Sequence, residues 1–238
     1  MIDEMFVIGC WPDSPEKMDT LRDTIRIIQM MKVPILLCTH YPRLEGLEEG
    51  VDYILWERKN VMSGDFRPVY WRKHKDGRLE LARSRIPYHG VAVLNNIRNA
   101  VDFCVGRAKR IHYLEYDVRL NLAAFIRAQK PNSVFSGIPF DGDRGIRTDV
   151  WSADTAWADY AIPRIDSWEE YMDGLHETQY VLEHWLLRKF RELGLSPDLI
   201  DMPVRNLYDQ VDKNLWRDID AAIQKAPQQQ FVVFPTLS

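Results

Sequence analysis

Cysteine is scarce in this chain. Cys10, Cys38 and Cys104 are the only three in 238 residues, far apart and each inside an apolar stretch. An odd, scattered set of this kind excludes a disulfide framework and reads as buried thiols in a reducing compartment. Long apolar runs are also missing: none approaches the roughly 18 to 20 residues of a membrane span. No excess of basic charge is present, since 31 Lys plus Arg face 35 Asp plus Glu, a net charge of −4. That balance argues against a general nucleic-acid binder. Met1-Ile2-Asp3-Glu4 carries acids where a secretory signal carries positive charge, so a cytoplasmic location is expected. With 46% hydrophobic residues, 8 Trp, 10 Tyr and 9 Phe, the chain has ample material for a core.

Several catalytic signatures are absent too. The chain holds no G-x-x-x-x-G-K-[ST], no G-x-G-x-x-G after its first apolar run and no G-x-S-x-G, which disfavours P-loop hydrolases, Rossmann dehydrogenases and common α/β-hydrolases. His176-Glu177-Thr178-Gln179-Tyr180 starts like a zinc-protease helix, but Tyr180 stands where the second His is required. Asp141-Gly142-Asp143 starts like a calcium loop, yet Gly145 and Ser152 occupy ligand positions, so a turn is expected there.

What is present alternates between strand and helix signals. Phe6–Cys10 is a short apolar run, and Ser14-Pro15-Glu16 supplies an N-cap, a first-turn proline and an acid suited to the helix dipole. Met18, Leu21, Ile25 and Ile28 follow at helical spacing up to about Met31. Further strands are predicted at Ile35–Cys38, Val51–Trp56, Arg110–Leu114 and Ser133–Phe140, with helices from Gly90 to Cys104 and from about Leu120 to Gln129. The stretch Val61–Pro87 reads as a hairpin excursion on the sheet's edge around Lys75-Asp76-Gly77. Asp141–Ser167 is polar, aromatic and poorly periodic, and a helix with Leu182, Leu186, Phe190 and Leu193 on one face closes at Gly194. Short, nearly all-apolar strands separated by helices predict a mainly parallel sheet covered on both faces.

Glu115-Tyr116-Asp117 follows the strand residues His112-Tyr113-Leu114. Strand alternation puts both carboxylates on one side and Tyr116 on the other. Hard oxygen ligands at a strand's carboxyl end suit Mg²⁺ or Mn²⁺ bridging a diphosphate. An exposed strand terminus also carries acids without any metal. The surrounding order supports the functional reading: a strand ending at Thr39-His40, one running out at Lys59-Asn60, a His-led helix at His89, then the acid-x-Asp strand.

That order resembles the GT-A glycosyltransferases, particularly their family-2-like branch. Val51–Leu55 with Lys59-Asn60, Pro87–Ala92 and Ile111–Asp117 are similar to stretches of small glycosyltransferases of bacteria and large DNA viruses. The likeness covers about the first 140 residues well and the rest loosely. It departs from the family in carrying Glu115 as the first acid, which makes Asp117 the safer direct metal ligand. The resemblance implies an α/β, GT-A-like (Rossmann-like), mainly parallel central sheet flanked by helices, with an irregular C-terminal acceptor region. It implies one domain over residues 1–238, with a nucleotide-sugar half at 1–140 and an acceptor side at 141–238.

It further implies a UDP- or GDP-sugar donor, a glycan or lipid-linked acceptor, and a Mn²⁺ or Mg²⁺ cofactor on Asp117 and Glu115. Trp11, Thr39 and His40 would line base and ribose, with Asn60, His89 and Glu115 nearby; ordinary packing at loop mouths accounts equally for Trp11 and His40. Candidates for the carboxylate that deprotonates the acceptor are Glu177, Glu183 and Asp154, with Glu177 preferred because it lies near the helix start, where the family places its base. Glu177 and Glu183 are six residues apart, about 120° around a helix, so both do not face one hydroxyl. Trp151, Trp157, Tyr160, Trp168 and Tyr171 could stack on sugar or fill the core. The hairpin cations Arg67, Arg72, Lys73, Lys75, Arg78, Arg83 and Arg85 could meet an anionic acceptor or form a solvated face. Competing readings are a sugar-phosphate nucleotidyltransferase, disfavoured by the missing Gly-rich loop after Cys10, and a non-catalytic nucleotide- or glycan-binding module.

Overall fold

The computed structural model of the chain describes residues 1–39, 46–47, 50–56, 69–73, 79–83, 89–164, 182–207 and 230–234. Strand β1 (Ile2–Cys10) is buried from Met5 onwards and stops before Trp11-Pro12-Asp13. Ser14 caps α1 (Pro15–Gln29): its Oγ accepts the Lys17 N–H at 3.3 Å, with Pro15 and Glu16 in the first turn. The chain continues through β2 (Ile35–Thr39), β3 (Tyr53–Trp56), β4 (Val69–Lys73), β5 (Leu79–Arg83), α2 (His89–Cys104) and β6 (Ala108–Glu115). Then follow β7 (Val118–Arg119), α3 (Leu122–Ala128), β8 (Phe135–Phe140), β9 (Gly145–Asp154), α4 (Thr155–Ala161) and α5 (Leu182–Glu192). Three short strands complete it: β10 (Asp198–Leu199), β11 (Arg205–Asn206) and β12 (Gln230–Phe234). No described helix is long and apolar enough to cross a membrane.

Seven strands form the central sheet in the order β10-β8-β9-β6-β1-β2-β3. All pairs are parallel except those of β9, which runs antiparallel to both β6 and β8. Alternate strand residues divide the core between the two faces. Phe6, Ile8, Leu37 and Leu114 pack with Leu21, Ile25 and Ile28 of α1 and Phe125 of α3. Met5, Val7, Leu36 and Ile111 pack on the other face with Leu94, Ile97 and Val101 of α2 and Trp185 and Phe190 of α5. The protein is thus an α/β fold with a mostly parallel sheet covered on both sides. The three cysteines are free and buried, and burial raises Cys38 well above the usual thiol range and pushes Cys10 and Cys104 up to about 12.

Helix α5 ends as its glycine predicts. Gly194 adopts φ +70°, its N–H reaches the Arg191 carbonyl, and the Leu195 N–H reaches the Phe190 carbonyl at 2.9 Å. This pair of bonds satisfies carbonyls that the last turn leaves open.

Two regions differ from the sequence expectation. The segment after Asp141 is not irregular throughout: residues 145–154 form the long strand β9, inserted between β6 and β8, and α4 follows at once. The sheet therefore draws on residues from both sides of position 140. Strands β4 and β5 pair antiparallel as a hairpin, but the further partner of β4 is β12, and the three make a separate sheet and do not extend the edge of the main one. Lys75-Asp76-Gly77 lies outside the described residues.

A buried polar row crosses the sheet near the amino end of β6. Arg110 donates to the Gln129 side-chain oxygen at 2.8 Å, which turns the Gln129 amide nitrogen onto Ser152 Oγ at 2.8 Å. Ser152 Oγ in turn shares a hydrogen bond with His112 Nδ1 at 2.7 Å. Burial, aided by the Arg110 charge, lowers the His112 pKa to about 4, and the Glu4 carboxylate 3.7 Å from Nε2 does not offset this. Below pH 6.5 the unfolded chain takes a proton that the native His112 refuses, so stability is lost as pH falls from 6.5 towards 4. The loss from this group is about 3 kcal/mol. Urea unfolding at pH 7 and pH 4.5 should show it, and His112→Gln should flatten that limb.

Candidate functional site

After β1 the chain builds outward to β2 and β3, then crosses back to set β6 on the other side of β1. This reversal makes the carboxyl ends of β1 and β6 the switch point of the sheet, the place where open α/β sheets collect ligands. Glu115 stands at that point, in register with Gly9. The ladder runs one step further, the Tyr116 N–H reaching the Gly9 carbonyl at 3.1 Å, and Tyr116 packs into the α1-side core as alternation predicts.

The turn carrying the acids is held from several directions. The Tyr116 carbonyl accepts Thr24 Oγ1 of α1 at 2.6 Å and Arg119 at 3.0 Å. Arg119 also donates to Thr24 Oγ1 at 2.8 Å. The Asp117 carbonyl accepts the Leu207 N–H at 3.0 Å, and β11 pairs with β7 just beyond. Asp117 is itself buried, 8% exposed.

Two further carboxylates face Glu115. Asp149 of β9 lies one residue from Val150, the register partner of Leu114, and is paired with Arg147 through Nε at 2.9 Å. Glu183, in the first turn of α5, accepts Thr148 Oγ1 at 3.2 Å. Burial drives the Glu115 pKa well above the ordinary carboxylate range, and the charges of Asp117, Asp149 and Glu183 raise it further, with Arg147 opposing. Glu183 is raised as well, by burial first, with Asp149 adding to it. The site thus concentrates negative charge that a cation would offset. Its donors are all hard oxygens, the set that suits Mg²⁺ or Mn²⁺. Among the described residues no group of three or more His, Cys, Asp or Glu is placed to hold a metal ion, so a cation here would complete its shell with ligand oxygens or water.

Of the residues expected at the site, Glu115, Asp117 and Glu183 come together. Thr39, at the end of β2, is buried and donates to the Cys10 carbonyl at 3.0 Å, while Trp11 follows β1 half-buried. His89 opens α2. His40, Asn60, Glu177, Trp168 and Tyr171 lie outside the described residues. Asp154 is not with the others: β9 runs antiparallel, so its last residue pairs with Arg110 at the opposite end of β6, 2.7 Å from that guanidinium. Trp151 and Trp157 pack in the core against Phe135, and Tyr160 is exposed. Asp141 turns at φ 52° and pairs with Arg144 at 2.5 Å, as a turn and not a calcium loop.

Residue-by-residue reading of the sequence missed Arg147, Thr148 and Asp149. Their signal was the pair of charges Arg147 and Asp149 at alternate positions in a stretch of strand length, Gly145–Asp154.

No family model matches the chain, and no curated protein matches it. Among solved structures it is similar to the crystal structure of a glycosyltransferase involved in the glycosylation of the major capsid of PBCV-1. The identity is 11% and the TM-score 0.43, over 83% of this chain and 80% of that one. Similarity at this level says nothing about which residues act.

Proposed function

We propose that this protein is a glycosyltransferase that moves a sugar from a nucleoside-diphosphate sugar to a hydroxyl acceptor. The observation that carries the reading is the cluster of carboxylates around Glu115 at the reversal point of the sheet, with Arg147 opposing them among the described residues. A cluster of buried carboxylates at the switch point of the sheet is what a site for a divalent cation that binds a diphosphate needs. Asp117 and Glu115 would hold Mn²⁺ or Mg²⁺, which when bound supplies positive charge for the leaving diphosphate. The donor is a UDP- or GDP-sugar and the acceptor a glycan or a lipid-linked sugar.

Glu183 is the base we favour. Burial raises the Glu183 pKa above the ordinary carboxylate range, and a carboxylate so raised takes a proton more readily. In an inverting course Glu183 takes the acceptor O–H proton, the acceptor oxygen bonds to the anomeric carbon, and the carbon–oxygen bond to the diphosphate breaks with its electron pair leaving on phosphate. Glu177 remains the alternative base.

A thermal-shift panel of nucleotide sugars with and without Mn²⁺ tests the reading. A ligand at about 100 times its Kd stabilises by about 2.7 kcal/mol, a rise of roughly 5–10 °C for a chain of this size. One UDP- or GDP-sugar should give that rise, larger with Mn²⁺. Failure of every nucleotide sugar to stabilise the protein would sink the proposal.

A further inference from the structure

Tyr113 lies on β6 two residues before Glu115, on the same face of the sheet, and is 1% exposed. Its ring stacks on Trp151 with centroids 5.2 Å apart and planes 8° from parallel, which fixes where the hydroxyl points. The hydroxyl passes over Gly9: a Cβ at that position would lie 2.2 Å from Oη and 2.9 Å from Cζ. Glycine at position 9 is therefore what gives the phenol its room. Gly9 is also the register partner of Glu115, so Oη ends at the step of the sheet that carries Glu115.

This hydroxyl has no hydrogen-bond partner among the described residues. A buried hydroxyl without a partner destabilises a fold, and phenylalanine would fill the same volume without that cost. Stacking on Trp151 does not need the oxygen. The charge of Glu115 is the strongest one acting on the phenol, and Asp149 acts in the same direction. An unpartnered donor thus sits buried at the step of the sheet that carries the carboxylate of the proposed reaction.

We infer that Tyr113 is a positioning residue whose hydroxyl donates a hydrogen bond to the Glu115 carboxylate when that carboxylate holds a cation and a diphosphate. The inference rests on the function proposed above and adds a role for a core side chain that touches neither substrate nor cation. In the ligand-bound site the Glu115 carboxylate faces two ways, one oxygen for the cation and one for Oη.

Calorimetric titration of the full chain with Mn²⁺ plus UDP, and separately with Mn²⁺ plus GDP, tests this alongside the melting temperature. Tyr113→Phe should melt within about 1 °C of the native protein or above it, because no bond is lost in the free state. It should bind the preferred Mn²⁺–nucleotide about tenfold more weakly, the size expected for one hydrogen bond to a charged group. In a Glu115→Gln background the same change should alter affinity less than about twofold, since the two residues act as a unit. Unchanged affinity in Tyr113→Phe, or equal losses in the two backgrounds, would overturn the inference while leaving the proposed function intact. A melting temperature lowered by several degrees would overturn it too, by revealing a structural partner. Failure of the native chain to bind either Mn²⁺–nucleotide would overturn both readings together.

Discussion

Asp117→Asn should lower sugar transfer by about a thousand-fold while leaving the fold as stable as before, or more so. The magnitude follows from removing one charged oxygen ligand from a site proposed to offset charge on a leaving diphosphate. The stability expectation has a separate origin. Asp117 is buried and its charge is the largest among those that raise Glu115, so a neutral amide of the same shape relieves repulsion. Glu115 itself ionises with difficulty in the native state, so its contribution to stability falls as pH rises above the unfolded value near 4.5. Melting curves and transfer rates of the variant at pH 7.5 check both halves. A loss of activity matched by a loss of melting temperature would mean that Asp117 supports the fold and not the reaction.

Arg98→Met should do the reverse, costing about 3 kcal/mol of stability with little effect on the site. Arg98 is 7% exposed and places its whole guanidinium. Nε and one terminal nitrogen bond Asp102 Oδ1 at 3.0 and 2.5 Å, the same terminal nitrogen bonds Asp159, and the other reaches the Asp159 and Ile162 carbonyls at 3.0 and 2.9 Å. These bonds tie α2 to the last turn of α4, satisfying carbonyls that the helix end leaves open. Both partner carboxylates are more than a third exposed, 36% and 40%, which keeps the loss at the lower end of the range for broken buried pairs. Thermal unfolding should fall by on the order of 10 °C, and Arg98→Lys should recover only part of it, since one ammonium cannot copy the fork.

Features written in local chemistry were legible in the sequence. Ser14-Pro15-Glu16 announces α1 because capping depends on neighbours in the chain, and Gly194 announces the end of α5 for the same reason. Glu115-Tyr116-Asp117 could be read as a site because a short apolar strand leads straight into it. What stayed hidden depends on partners distant in sequence. Strand β9 escaped notice because Arg147 and Asp149, the residues it brings to the site, interrupt its apolar pattern. Its antiparallel direction was equally invisible, and direction alone decides that Asp149 reaches Glu115 whereas Asp154 ends beside Arg110. Tyr113 read as core, and only its place above Gly9 sets it apart. The pairing of β12 with β4 joins segments about 160 residues apart and leaves no local mark.

The most direct measurement of the central claim is product identity. The full chain, with Mn²⁺ and the nucleotide sugar that stabilises it most, is incubated with and without a mixture of glycan acceptors, and the released nucleotide is quantified. The account predicts nucleoside diphosphate, released slowly with water as acceptor, faster with the right glycan, and about a thousand-fold less by Asp117→Asn. Release of pyrophosphate from a nucleoside triphosphate and sugar phosphate would make the protein a nucleotidyltransferase, and tight binding with neither product would make it a binding module. Either result would contradict the account.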